Sequence, residues 1–182
     1  VVRYSAGPSG CGKSASILPA FLESAKKPCG FTHYLHIACN NNDGNYFMFD
    51  EALLSTDDEE AELQGMAFMF ECVKRLLNGE RGVLISADDL PDDNAAELEK
   101  QINDFLRDRL PKSRILFHID EHRKMCVKKG MESQSAAFRR GATSVLATLP
   151  NVDATVVATY LEPPAAEFKT KTFGPVVCRF PV

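Results

Sequence analysis

The chain has 182 residues, 45% of them hydrophobic and 25% charged, enough for one domain that buries roughly 70% of the surface its unfolded form exposes. A formal charge of −4 excludes an overall electrostatic drive toward nucleic acid, and no apolar run is long enough to span a bilayer. Six cysteines, Cys11, Cys29, Cys39, Cys72, Cys126 and Cys178, lack the paired spacing of zinc ligands and read as reduced thiols of an intracellular compartment, cytoplasm and nucleus being indistinguishable. Val1 begins almost inside the first apolar segment with no initiator Met. The expectation is therefore a single domain over 1–182 cut from a longer protein, with further domains or protein partners.

Val1, Val2 and Tyr4 predict a first strand. It runs into Gly7, Pro8, Ser9, Gly10, Cys11, Gly12, Lys13 and Ser14, which match the phosphate-loop pattern G-x-x-x-x-G-K-[ST] at every constrained position. Glycines allow the tight turn that points successive N–H groups inward, and the helix that opens at Lys13, Ser14 and Ala15 adds its partial positive charge. Such a cradle fits the phosphates of a nucleoside triphosphate. Lys13 would reach the β- and γ-phosphates, and the Ser14 hydroxyl would be one ligand of Mg²⁺. A Gly-rich turn that merely opens a helix is the plainer alternative. Cys11, inside the loop, would be sensitive to oxidation.

A helix is predicted from Lys13 to Ala25, with Ile17, Leu18, Phe21 and Leu22 inward and a kink at Pro19. A second strand follows over Phe31 to Cys39, then a turn-forming loop from Asn40 to Asn45 and a short aromatic stretch from Tyr46 to Phe49. Leu63, Met66, Ala67, Phe70, Val73 and Leu77 repeat at helical spacing across Glu59 to Leu77. Gly82 to Ser86 is open between a short strand and a buried connector. Asp88 and Asp89 suit a cap or turn, and Ala95 to Leu110 forms a helix ended by Pro111.

Ile115 to Ile119 is nearly continuous in apolar residues, as a central parallel strand requires. Asp120 and Glu121 follow at once. A carboxylate at that strand end can hold the Mg²⁺ shell opposite Ser14, and the next one can polarise a water for attack on the γ-phosphate. Charged residues also commonly end buried strands, so the pair draws its weight from the phosphate loop upstream. A helix over Ser133 to Leu149 and a strand over Ala154 to Tyr160 come next, and Val176 to Phe180 is a last strand of open direction. Thr159 is a candidate to sense the γ-phosphate, although strand propensity alone would also explain it.

The basic residues Arg123, Lys124, Lys128, Lys129, Arg139 and Arg140 and the acidic run Asp50, Glu51, Asp57, Asp58, Glu59, Glu60 and Glu62 read as solvated surface. Arg139 and Arg140 are also candidates to meet transition-state charge. His118 reads as a satisfied core histidine and His122 as a flank of the site.

Alternating strands and helices predict an α/β three-layer sandwich around a mainly parallel sheet. Taken together, Gly7 to Ser14, Ile115 to Glu121 and Thr159 resemble the P-loop ATPases with an added strand and a catalytic glutamate, the group that includes AAA+ and STAND ATPases. The run Tyr4 to Ser14 also looks like the NTPase region of Crinkler and retrotransposon-hot-spot proteins. The resemblance implies sheet order 5-1-4-3-2, ATP at the sheet's upper edge, magnesium on Ser14 and Asp120, and water activation by Glu121. An assignable sensor arginine, arginine finger and helical lid are missing from the pattern, which puts ring assembly in doubt. Two rivals stand beside an ATPase: a small-molecule kinase, and a nucleotide-dependent switch with very slow turnover.

Overall fold

The structure, a computed structural model, describes residues 2–6, 13–39, 46–150, 152–160 and 176–179, with side chains for 14–39, 46–150 and 152–159. Its elements are β1 (Val2–Ala6), α1 (Lys13–Ala25), β2 (His33–Ala38), β3 (Phe47–Phe49), α2 (Asp58–Leu77), β4 (Val83–Ile85), α3 (Ala95–Arg109), β5 (Arg114–Asp120), α4 (Glu132–Ala147), β6 (Asp153–Tyr160) and β7 (Val176–Arg179). The fold is α/β. Five strands form a sheet in the order β2-β5-β6-β1-β7, and β3 and β4 form a second sheet of two strands. Every pairing is parallel, so the last strand, open in the sequence, runs parallel to β1. The undecided segment from Gly82 is β4. An isolated bridge from Ala38 to Tyr46 joins the small sheet to the edge of β2.

Alternation along β5 divides the two faces of the main sheet. Ile115, Phe117 and Ile119 belong to the apolar core with Phe68, Met69 and Val73 of α2 and Phe138, Val145 and Leu146 of α4. Leu116, His118 and Asp120 point to the opposite face, where the Phe21 ring of α1 meets Tyr34 of β2 at 5.5 Å between centroids. Ile17 is buried there, but Leu18 and Leu22 are 45% and 52% exposed. This corrects the inward assignment of those two leucines. A helix of 13 residues turns one stripe toward the sheet, and Leu18 and Leu22, four apart on the neighbouring stripe, border solvent.

The helix ends follow from local chemistry. Asp57 caps α2 by accepting from the Glu60 amide at 2.9 Å, acidic residues fill its first turn, and Lys74 and Arg75 fill its last. Asp89 accepts from the Ser86 amide and hydroxyl, in keeping with its reading as a capping residue. The acidic run lies at the surface, as read, with Asp57 to Glu60 exposed, and several of its carboxylates are engaged there. Asp58 accepts from Ser133 and Gln134 of α4, Glu62 pairs with Arg140 at 2.6 Å, and Glu51 accepts from the Val127 amide. Arg139 is corrected as well: it is 5% exposed, and its Nη1 donates to the Cys126 carbonyl. Four free thiols are described, Cys29 exposed and Cys39, Cys72 and Cys126 buried. No helix among the described residues is long and apolar enough to cross a membrane.

Candidate functional site

Because the strands of the main sheet are parallel, their carboxyl ends share one edge, the place where open α/β sheets hold ligands. Register brings Ala38 opposite Asp120, Ile119 opposite Ala158, and Ser5 opposite Thr159. Asp120 and Thr159 therefore stand side by side at that edge, and α1 begins beneath it with Lys13.

Among the sequence-predicted residues, Gly7 to Gly12, the segment that matches the phosphate-loop pattern with Pro8, Ser9, Gly10 and Cys11, lies outside the described residues. Lys13 is described as the first residue of α1, by its backbone. Ser14 and Ala15 sit in the first turn of that helix. Ser14 Oγ donates to Asp120 Oδ1 at 2.5 Å across 106 positions of sequence. Thr159 Oγ1 donates to the same oxygen at 2.6 Å. The Glu121 amide is shared between Asp120 Oδ1 at 3.1 Å and Thr159 Oγ1 at 3.3 Å. Three segments thus converge on one carboxylate.

Burial alone would raise the Asp120 pKa, but the hydroxyls of Ser14 and Thr159 and the nearby imidazoles outweigh it. The carboxyl is held well below its ordinary range. His36 Nε2 stands 3.9 Å from Asp120 Oδ2, close enough for charge interaction and too far for a hydrogen bond. Glu121 adopts φ 54° and ψ 43°, the left-handed region that non-glycine residues occupy only where their surroundings impose it. Its carboxylate lies 3.7 Å from Lys124 Nζ.

Sequence reasoning missed the neighbours of Asp120 on the α1 side. The Tyr34 hydroxyl lies 2.6 Å from His118 Nδ1, and the His36 and His118 rings stack at 4.8 Å. Burial, then the Asp120 charge, pushes Tyr34 up to about 12. Burial, then the neighbouring His36, pulls His118 down to about 4. The phenol is therefore protonated and the His118 imidazole neutral at pH 7, which fits O–H donation to Nδ1. His118 is buried on the α1 face and is not part of the α2–α4 core. The period of two in Tyr34, His36 and in His118, Asp120 was the available signal for a shared face. A groove of about 400 Å³ runs beside these residues, bordered by Leu18, Pro19, Leu22, Tyr34, His36 and Asp120.

His122 proves fully buried, with Nε2 2.7 Å from Thr143 Oγ1 of α4, so it does more than flank the site. Arg139 and Arg140 are both engaged within the fold. No group of three or more His, Cys, Asp and Glu side chains among the described residues is placed to hold a metal by itself. Magnesium needs fewer protein ligands, because it keeps most of its shell as water and phosphate oxygens. Two hard oxygens, Ser14 Oγ and an ionised Asp120, match that requirement. Neither a scan against protein-family models nor a search of curated proteins returns a match for this chain.

Proposed function

We propose that this chain is a magnesium-dependent ATPase domain of the P-loop class, in which Glu121 activates the attacking water. The observation that carries the reading is the 2.5 Å contact between Ser14 and Asp120, which unites the end of the phosphate-loop motif with the acidic pair 106 positions later. Support also comes from the main sheet: counting its five strands in chain order from β1, the order β7-β1-β6-β5-β2 is 5-1-4-3-2. The loop amides and Lys13 bind the phosphates, and Ser14 and Asp120 would hold the metal. Magnesium bound there supplies neutralisation of phosphate charge. The Glu121 carboxylate takes the proton of a water whose oxygen bonds to the γ-phosphorus as the β–γ bridging oxygen leaves with ADP. Thr159, hydrogen-bonded to Asp120 and to the Glu121 amide, keeps those two groups in register. ATP is preferred over GTP because no Asn-Lys-x-Asp guanine-reading motif occurs in the chain.

Single-turnover phosphate release tests this. Glu121→Gln is expected to keep nucleotide affinity while hydrolysis falls roughly 10²- to 10⁴-fold. Equal rates in wild type and variant would overturn the water-activating role and leave a slow nucleotide-dependent switch. The groove beside Ser14 and Asp120 favours a second reading, phosphoryl transfer to a small hydroxylated acceptor. With γ-labelled ATP and a metabolite pool, label in inorganic phosphate supports hydrolysis, and label in an organic product supports transfer.

A further inference from the structure

Glu121 is one of two non-glycine residues with positive φ among the described residues, the other being Lys112. A left-handed glutamate needs restraint on both sides. On its amino side β5 ends in a hydrogen-bonded ladder, and the Glu121 amide is held by Asp120 and Thr159. On its carboxyl side the chain enters a short 3-10 turn from His122 to Met125, closed by the Lys124 amide donating to the Glu121 carbonyl at 2.7 Å.

That turn is gripped by α4 at both ends. The Thr143 hydroxyl donates to the Arg139 carbonyl at 2.8 Å, which leaves its oxygen to accept. His122 Nε2, 2.7 Å away, must then carry the proton, with the Arg139 carbonyl as a second acceptor at 3.3 Å. At the far end Arg139 Nη1 donates to the Cys126 carbonyl, and Ser135 Oγ accepts from the Lys128 amide at 3.0 Å. His122 and Arg139 are both buried, so water does not compete for these bonds.

We infer that His122 is a positioning residue: through Thr143 and Arg139 it ties the turn to α4 and thereby locks Glu121 in its left-handed conformation, aimed by α4 as well as by β5. For catalysis this rests on the reading of Glu121 as the water-activating group; for the backbone it stands on the geometry alone.

Thr143→Val removes the acceptor with little change of shape, and Thr143→Ser retains it. The expected result for Thr143→Val is hydrogen exchange at the Glu121 amide faster by roughly tenfold or more, with phosphate release slower by roughly 10- to 100-fold and fluorescent-ATP affinity unchanged. Thr143→Ser should restore all three. Glu121 exchange and turnover both at wild-type values in Thr143→Val would overturn the inference. So would imidazole nitrogen shifts showing His122 protonated on Nδ1 in the wild-type protein, a measurement that decides the matter even if Thr143→Val fails to fold. A wild type that releases no phosphate, with the Glu121 amide still freed by Thr143→Val, would uphold the brace and sink the ATPase reading.

Discussion

At Asp120, burial pulls the pKa up while His36, the hydroxyls of Ser14 and Thr159, and His118 pull it down, and the downward pull wins. At His118 and His122 burial is the leading cause, reinforced by a neighbouring positive group. His118 is pulled down to about 4, and His122 is pulled down to about 3, chiefly by burial and then by Arg139. Both have folded values below their ordinary 6.5. Their neutral forms therefore contribute stability that is fully present above about pH 6.5 and is lost as pH falls toward 4, because the unfolded chain binds the protons first. Each histidine should add a slope of up to about 1.4 kcal/mol per pH unit in that window. Urea unfolding between pH 7 and 4.5 measures it, and His118→Gln should flatten the slope by one histidine's share. An unchanged slope would show that His118 titrates normally. Asp120, also depressed, adds its loss only at lower pH, below the ordinary carboxylate range.

The pairing of α2 with α4 depends on two glycines that helical periodicity passes over. A Cβ on Gly65 would stand 1.9 Å from the Phe138 carbonyl oxygen, and one on Gly141 would stand 1.9 Å from the Glu62 carbonyl oxygen. The helix backbones touch there, which brings Glu62 to Arg140 and Asp58 to Ser133. Gly65→Ala and Gly141→Ala are each expected to cost about 1–3 kcal/mol through forced separation of the helices, despite the better helix propensity of alanine. A urea midpoint equal to wild type in either variant would refute the close approach. Since α4 also carries Arg139 and Thr143, spreading this contact should disturb the Glu121 turn. The helices themselves were legible because apolar residues recur over three or more turns. The glycines were not, because a close approach is a property of two helices and leaves no spacing in either one.

For the molecule as a whole, the proposed site is shared by α1, β5 and β6, so occupying it ties together elements distant in sequence. Ligand that binds only the folded state stabilises it by mass action, about 2.7 kcal/mol at a hundred times Kd. Magnesium with a non-hydrolysable ATP analogue should therefore raise Tm, and Asp120→Ala should abolish the magnesium-dependent part of the rise. A shift that chelation leaves untouched would argue against Ser14 and Asp120 as the metal-holding pair. The open flank of α1, with Leu18 and Leu22 exposed, escaped the sequence for a related reason: amphipathic spacing shows that a helix has an apolar side, but how much of it is covered depends on the layers around it.

By itself the sequence determined most of the elements and their alternation, though not the strand from Gly82 or the direction of the last one, together with the phosphate-loop pattern and the carboxylate pair at the end of a buried strand, all of which are written in short-range spacing and residue type. Tertiary structure alone decided that Ser14, Asp120 and Thr159 share one oxygen, that Glu121 is left-handed, and that Arg139 is internal while Tyr34, His36 and His118 line the α1 face. Those outcomes follow from parallel register and from which helices touch. Both are set by contacts between residues tens to a hundred positions apart, and beyond the period of two in Tyr34, His36 and in His118, Asp120 no local pattern encodes them.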